Sequence, residues 1–244
     1  LLLQVARGTS NLECKERRKK LRWNDPKPLE RKMESLKKRI LEIAYENKLS
    51  HLGSYFSSLE IIDNIFKEKD EDDIFILSAG HAAVALYVVL EKYYGINASE
   101  LFKEQGGHPH RDEDKHIYCS TGSLGLGLTV AVGRALANKN RKVHCLISDG
   151  ESAEGSIWEA LRFIQEKNLQ NIEVYVNING FVAYDSIDTE YLSKRLKSFY
   201  PGINLVYTTV SHFPFLKGLN AHYHVMSKED YELAINMLKN EKSI

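Results

Sequence analysis

Asp149 and Asn179 are the first residues here whose types and spacing suggest chemistry. Asp149 follows the apolar run 143–148 (VHCLIS), and Asn179 follows the next such run, 172–178 (IEVYVNI), thirty positions further on. One charged and one neutral oxygen ligand on neighbouring loops suit a hard cation such as Mg2+, which keeps its remaining positions for phosphate and water. Each residue also has a structural explanation, Asp149 as a helix cap and Asn179-Gly180 as a turn. Taken singly, those explanations prevail. The segment 121–127 (TGSLGLG) opens a helix, where glycine brings backbone close to a ligand and a helix N-terminus favours an anion. It lacks both GxGxxG and Gly-Lys-Ser/Thr, and glycines packing a helix onto a sheet explain it equally well. Of nine histidines, His51, His81, His108 and His222 sit in loops beside Gly, Pro or small residues. Four such settings raise the expectation of a polar pocket for phosphates or sugar hydroxyls. No histidine pair has zinc-site spacing with a third ligand attached.

These residues need strands to carry them to one place. Short apolar runs at 74–78, 143–148 and 172–178 read as strands buried on both faces, and a fourth strand is expected at 205–209. Helices are expected over 29–47, 82–94, 123–137, 153–167 and 228–238, with another capped by Ser57 or Ser58 and running through Ile65. A loop rich in Gly, His, Pro and charge covers 105–120. The alternation predicts an α/β fold, a three-layer α/β/α sandwich on a mostly parallel sheet. Right-handed crossovers place the loops after each strand along one edge, where ligands of open α/β sheets gather. With no internal repeat or low-complexity linker, one domain is expected over 29–244, preceded by an N-terminal extension over 1–28.

Composition narrows the partners. The 244 residues carry 33 Lys+Arg and 33 Asp+Glu, so formal net charge is zero and gives no reason to expect nucleic acid or an anionic membrane. The basic run 15–22 (KERRKKLR) and the acidic run 70–73 (DEDD) are local. Three cysteines without CxxC spacing argue against a disulfide framework, so a reducing cytoplasm is the expected setting. No apolar run approaches the ~20 residues of a membrane span.

In order and together, the segments FILSAGHAAVALYVVL (75–90), GHP (107–109), STGSLGLGLTVAVGRALA (120–137) and DGESAEGSIWEA (149–160), closed by Asn179, resemble the N-terminal half of transketolase, most closely its split, two-polypeptide form. The family's signature begins Gly-Asp-Gly and ends in Asn about thirty residues later; here Ser148 stands for the first glycine. Ala183-Tyr184-Asp185 likewise replaces Ile-Asp-Gly, and Ser50 stands where glycine often precedes the first histidine. The resemblance implies thiamine diphosphate held through Mg2+ (or Ca2+), with Asp149, Asn179 and the Phe181 carbonyl as metal ligands. His81 and the Gly150 amide would contact the diphosphate, and Gly122 and Leu124 would pack against the middle of the cofactor. His51, His108 and His222 would line the substrate channel and move protons, while Glu154 and Glu159 would lie at the subunit interface near the activating carboxylate.

The implied reaction transfers a two-carbon ketol unit from a ketose (phosphate) to an aldose (phosphate). In this family the activating glutamate and the pyrimidine pocket lie in a second domain, of ~150 residues. A partner polypeptide with that pyrimidine-binding domain is therefore expected, as a C-terminal transketolase subunit in a heterotetramer with two copies of each chain. Two alternatives stay open: a deoxyxylulose-phosphate-synthase-like or acetaldehyde-transferring enzyme using a 2-oxo acid, and an inactive scaffold or regulatory subunit.

Overall fold

The computed structural model describes residues 33–182 and 184–240; the expected 1–28 extension lies outside them. Four strands, β1 (Ile74–Leu77), β2 (Val143–Ser148), β3 (Ile172–Ile178) and β4 (Asn204–Tyr207), form one sheet in chain order. Every pairing is parallel, and Ile74, Val143 and Ile172 lie abreast across the first three strands.

Side chains alternate faces along each strand, which splits the core in two. Ile74, Ile76, Val143, Cys145, Ile147, Val174 and Val176 pack beneath α5 (Leu126–Ala137), α6 (Gly155–Glu166) and α7 (Thr189–Phe199). Phe75, Leu77 and Leu146 face α1 (Met33–Glu46), α2 (Leu52–Glu68) and α3 (Ala83–Tyr94) on the other side. The expected three-layer α/β/α sandwich with a parallel sheet is thus what the chain adopts. The helices α4 (Ala98–Gln105), α8 (Asn220–Tyr223) and α9 (Lys228–Asn240) complete it. Cys119 and Cys145 are buried free thiols, and no helix among the described residues is long and apolar enough to cross a membrane.

Several boundaries differ from expectation, each for a local reason. α2 begins at Leu52 rather than behind a cap at Ser57 or Ser58. Those serines face β3 in the interior, where their hydroxyls accept from Asn177 Nδ2 at 2.9 and 3.2 Å. α5 begins at Leu126 instead of 123, because its N-cap Gly125 takes a left-handed φ of 80°. The helices expected from 82 and 153 start at Ala83 and Gly155, each after a single 3-10 turn. β4 ends at Tyr207, short of 209. The expected 29–47 helix is Met33–Glu46, with 29–32 outside the described residues. Three helices were not anticipated. Two carry side-chain caps: Asn97 accepts from the Ser99 and Glu100 amides ahead of α4, and Asp188 from the Tyr191 amide ahead of α7.

Close packing brings the loops together at the C-terminal sheet edge. A Cβ on Gly127 would lie 2.5 Å from Ser78 Cα, so only glycine lets α5 rest on the end of β1. Gly53 likewise lets α2 meet Val210, whose Cβ would be 3.0 Å away.

Candidate functional site

β2 delivers Asp149 to that edge as a fully buried carboxylate. Its Oδ2 accepts the backbone N–H of Asn179 at 2.8 Å and of Gly180 at 2.7 Å, and its Oδ1 that of Gly150 at 3.0 Å. Asn179 Oδ1 accepts the Phe181 N–H at 3.0 Å, and Gly180 turns the chain at a φ of 90°. Cap and turn are therefore both real, and they are what set the Asp149 and Asn179 side chains side by side. Burial pushes the Asp149 carboxyl up to about 6, against three amide bonds that pull it down. A cation against that carboxylate would offset the burial cost.

Three histidines form a ring cluster opposite. His51 sits between α1 and α2 at a left-handed φ of 64°, and its N–H donates to the His222 carbonyl at 2.8 Å. The His51 and His222 rings meet edge to face at 4.2 Å between centroids, and His81 lies 5.6 and 5.5 Å from them. Burial first, and the neighbouring histidines second, bring His51 down to about 4 and His81 to about 3. Burial also lowers His222. The cluster is a set of neutral imidazoles, each able to accept one proton and donate another. His51 Nδ1 is buried without a hydrogen-bond partner, an unmet polar atom in the wall of the site.

One cleft of about 160 Å³ joins these parts. Asp149, Gly150, Asn179 and Phe181 line one side, the histidines His51, His81, His108 and His222 another, and Leu124 reaches in from the glycine-rich loop. Three expected residues do not line it. Gly122 stands behind His108, where a Cβ would come within 3.2 Å of His108 Cδ2. Glu154 and Glu159 are exposed, because the 3-10 turn Gly150–Ala153 carries the chain out of the cleft before α6 begins. Ser54, Val182, Val210 and Gly218 line the cleft without having been singled out, and as small or apolar residues they left no chemical signal. Glu151 was also missed. It is fully buried beside Ser148, and its signal was the Ser-x-x-Glu spacing. Among the described residues no group of three or more His, Cys, Asp or Glu could hold a metal. A cation here would rest on one carboxylate, amide and carbonyl oxygens, and the ligand's own phosphates.

Comparison with known proteins places the chain in a family. Residues 56–199 match the family described as transketolase, thiamine diphosphate binding domain. The chain is 34% identical over 171 residues to one subunit of the apulose-4-phosphate transketolase of Phocaeicola vulgatus, covering 62% of this chain and 60% of that one. It is 32% identical over 197 residues to the like-named protein from Actinobacillus succinogenes, covering 70% and 71%. Among solved structures, the transketolase from Leishmania mexicana superposes with a TM-score of 0.59 at 19% identity, covering 86% of this chain and 45% of that one. The chain thus spans less than two thirds of the Phocaeicola relative and under half of the Leishmania enzyme. With more than half of its length in the matched domain, the chain belongs to the transketolase family as a thiamine-diphosphate-binding domain.

Proposed function

We propose that this chain is the diphosphate- and metal-binding subunit of a transketolase that moves a two-carbon ketol unit from a ketose (phosphate) to an aldose (phosphate), working with a partner chain that carries the pyrimidine-binding domain. The observation that supports it best is the meeting of Asp149 and Asn179 with His51, His81 and His222 in one cleft. Thiamine diphosphate, when bound, would supply the nucleophile and the electron sink for breaking a bond beside a ketose carbonyl.

The residues present fit that group. Asp149, Asn179 and the Phe181 carbonyl form a hard-oxygen donor set suited to Mg2+. The amide of Gly150 and the ring of His81, both lining the cleft, would contact the diphosphate. Leu124 packs against the middle of the cofactor, while Gly122 backs His108. His51 lines the cleft, where its ring would face a substrate oxygen. His51, His108 and His222 polarise a substrate oxygen and move protons. Glu154 and Glu159, exposed, fall at the contact with the partner. The two bacterial relatives are each named as one subunit of a transketolase, which supports a divided enzyme whose site a dimer of heterodimers would complete.

The reading is tested by thermal unfolding and turnover with a candidate partner. Thiamine diphosphate with Mg2+ is expected to protect this chain weakly alone and strongly with the partner. Ketose donors are expected to be used in preference to pyruvate. Calorimetry showing no cofactor binding, with metal and partner both present, would overturn it.

A further inference from the structure

The serine at 148, where the family's signature has glycine, is half of a reciprocal pair. Ser148 N–H donates to Glu151 Oε2 at 3.0 Å, and Glu151 N–H donates to Ser148 Oγ at 3.3 Å. This is the arrangement of a capping box, placed on the 3-10 turn that follows β2. The second Glu151 oxygen reaches away from the turn. Oε1 accepts the Ser78 hydroxyl at 2.6 Å and the Gly125 N–H at 2.9 Å. One fully buried carboxylate therefore ties together the end of β1, the end of β2 and the glycine-rich loop.

The Gly125 end of that loop is held from both sides. While its amide is bound by Glu151, its carbonyl accepts from Ser156 Oγ at 3.1 Å, and a Cβ at Gly125 would lie 2.5 Å from Ser156 Oγ. Leu124, next in the chain, projects into the cleft across from Asp149 and Gly150. The distance between those two walls decides whether a diphosphate and its ring system fit between them. Hydrogen bonds to a buried carboxylate are strong and costly to lose, so they resist drift in that distance.

We propose that Ser148 and Glu151 are positioning residues for the cofactor: they fix the 121–127 loop against the Asp149–Asn179 pair and thereby set the affinity for thiamine diphosphate. The inference rests on the cofactor reading above. It adds a role for Glu151, buried behind the cleft, and for Ser148 at its edge.

The test uses the full chain reconstituted with its partner, titrated calorimetrically with thiamine diphosphate at saturating Mg2+, together with amide hydrogen exchange. Glu151→Gln keeps the size but turns an NH2 toward donors. It is expected to weaken cofactor binding about 10-fold, the low end of losses from groups that orient ligands. Gly125 exchange should accelerate by a similar factor, while the Cys145 amide within β2 keeps its protection. Ser148→Ala removes one arm of the box and is expected to weaken binding about fivefold, in line with the loss of a cap. It also carries the test if Glu151→Gln does not fold. A merely structural pair would lower the unfolding temperature and leave the dissociation constant alone. If the wild type binds and the variants bind within twofold of it, the positioning role is overturned and the cofactor reading stands. If the wild type itself does not bind with partner and Mg2+ both present, the cofactor reading falls and this role falls with it.

Discussion

The two ends of the sheet treat a buried histidine in opposite ways. Toward the N-terminal end of β2, His144 has a carboxylate facing each ring nitrogen, Asp73 at 3.6 Å and Glu173 at 3.4 Å. Burial outweighs both acids and lowers His144, and the two contacts are too long or too oblique for full hydrogen bonds. Glu173 also receives Lys142 Nζ at 2.8 Å and the Tyr175 hydroxyl at 2.6 Å. Asp73 accepts the Asp70 and Lys142 amides at 3.1 and 3.0 Å. Charges there close on one another within the protein. At the C-terminal end, the forces acting on His51, His81 and His222 are burial and other histidines, with no acid among them. His51 Nδ1 is buried without a hydrogen-bond partner, as both His144 ring nitrogens are, but here no carboxylate stands among the groups acting on the ring. A histidine set among its own acids holds a fold together. A cluster of histidines with no acid beside it, open to a cleft, awaits a ligand.

That contrast can be broken by substitution at either end. The largest effect is expected for Asp149→Ala, with thiamine diphosphate affinity in the presence of Mg2+ falling by more than about 100-fold in calorimetry, beyond the usual loss from a second-layer group. Unchanged affinity would remove the cleft from the cofactor reading. His51→Asn is expected to lower turnover of the reconstituted enzyme about 100-fold, the scale of one proton-moving group. Asparagine tolerates the left-handed backbone at 51, so denaturant unfolding should change by less than about 0.5 kcal/mol. Asp73→Ala, at the other end, is expected to do the reverse. It strips two amides and His144 of a partner, costing about 2 kcal/mol in denaturant unfolding, with cofactor affinity within twofold. Equal effects of His51→Asn and Asp73→Ala on both readouts would erase the distinction between the ends.

The carriers of the site were more legible in the sequence than its supports. Apolar runs flanked by Asp149 and Asn179 marked β2 and β3, because strands buried on both faces leave an unbroken apolar signature. The loop histidines stood out because imidazole beside glycine has no packing explanation. Ser57 and Ser58 misled, since a serine that caps a helix and a serine that serves a buried Asn177 look alike until the third dimension is known. The helices α4 and α7 escaped notice although Asn97 and Asp188 cap them, because their polar surfaces dilute the apolar period. Glu151 escaped for another reason. Its four bonds reach Ser78, Gly125 and Ser148, and two of those partners are far away in sequence.

The smallest expected effect is in the pH dependence of stability, where the cleft opposes itself. His51 is held at about 4 and His81 at about 3 against an ordinary 6.5, so as pH falls below 6.5 the unfolded chain takes up protons that the folded chain refuses. Stability contributed by these histidines is therefore full above 6.5 and drains away on acidification toward 4. Asp149 works the other way: its carboxyl, raised from 3.8 to about 6, binds a proton in the folded chain first, so acidification through 6 favours the fold. The two effects offset each other in part within the cleft, and a difference between proteins isolates one member. His51→Asn removes a group that favours the unfolded state in acid, so its unfolding midpoint in urea should fall less than that of the wild type between pH 7 and 5. Parallel midpoints across that range would mean that His51 takes up its proton in the folded chain as readily as in water, and that the neutral cluster facing the cleft does not exist in solution.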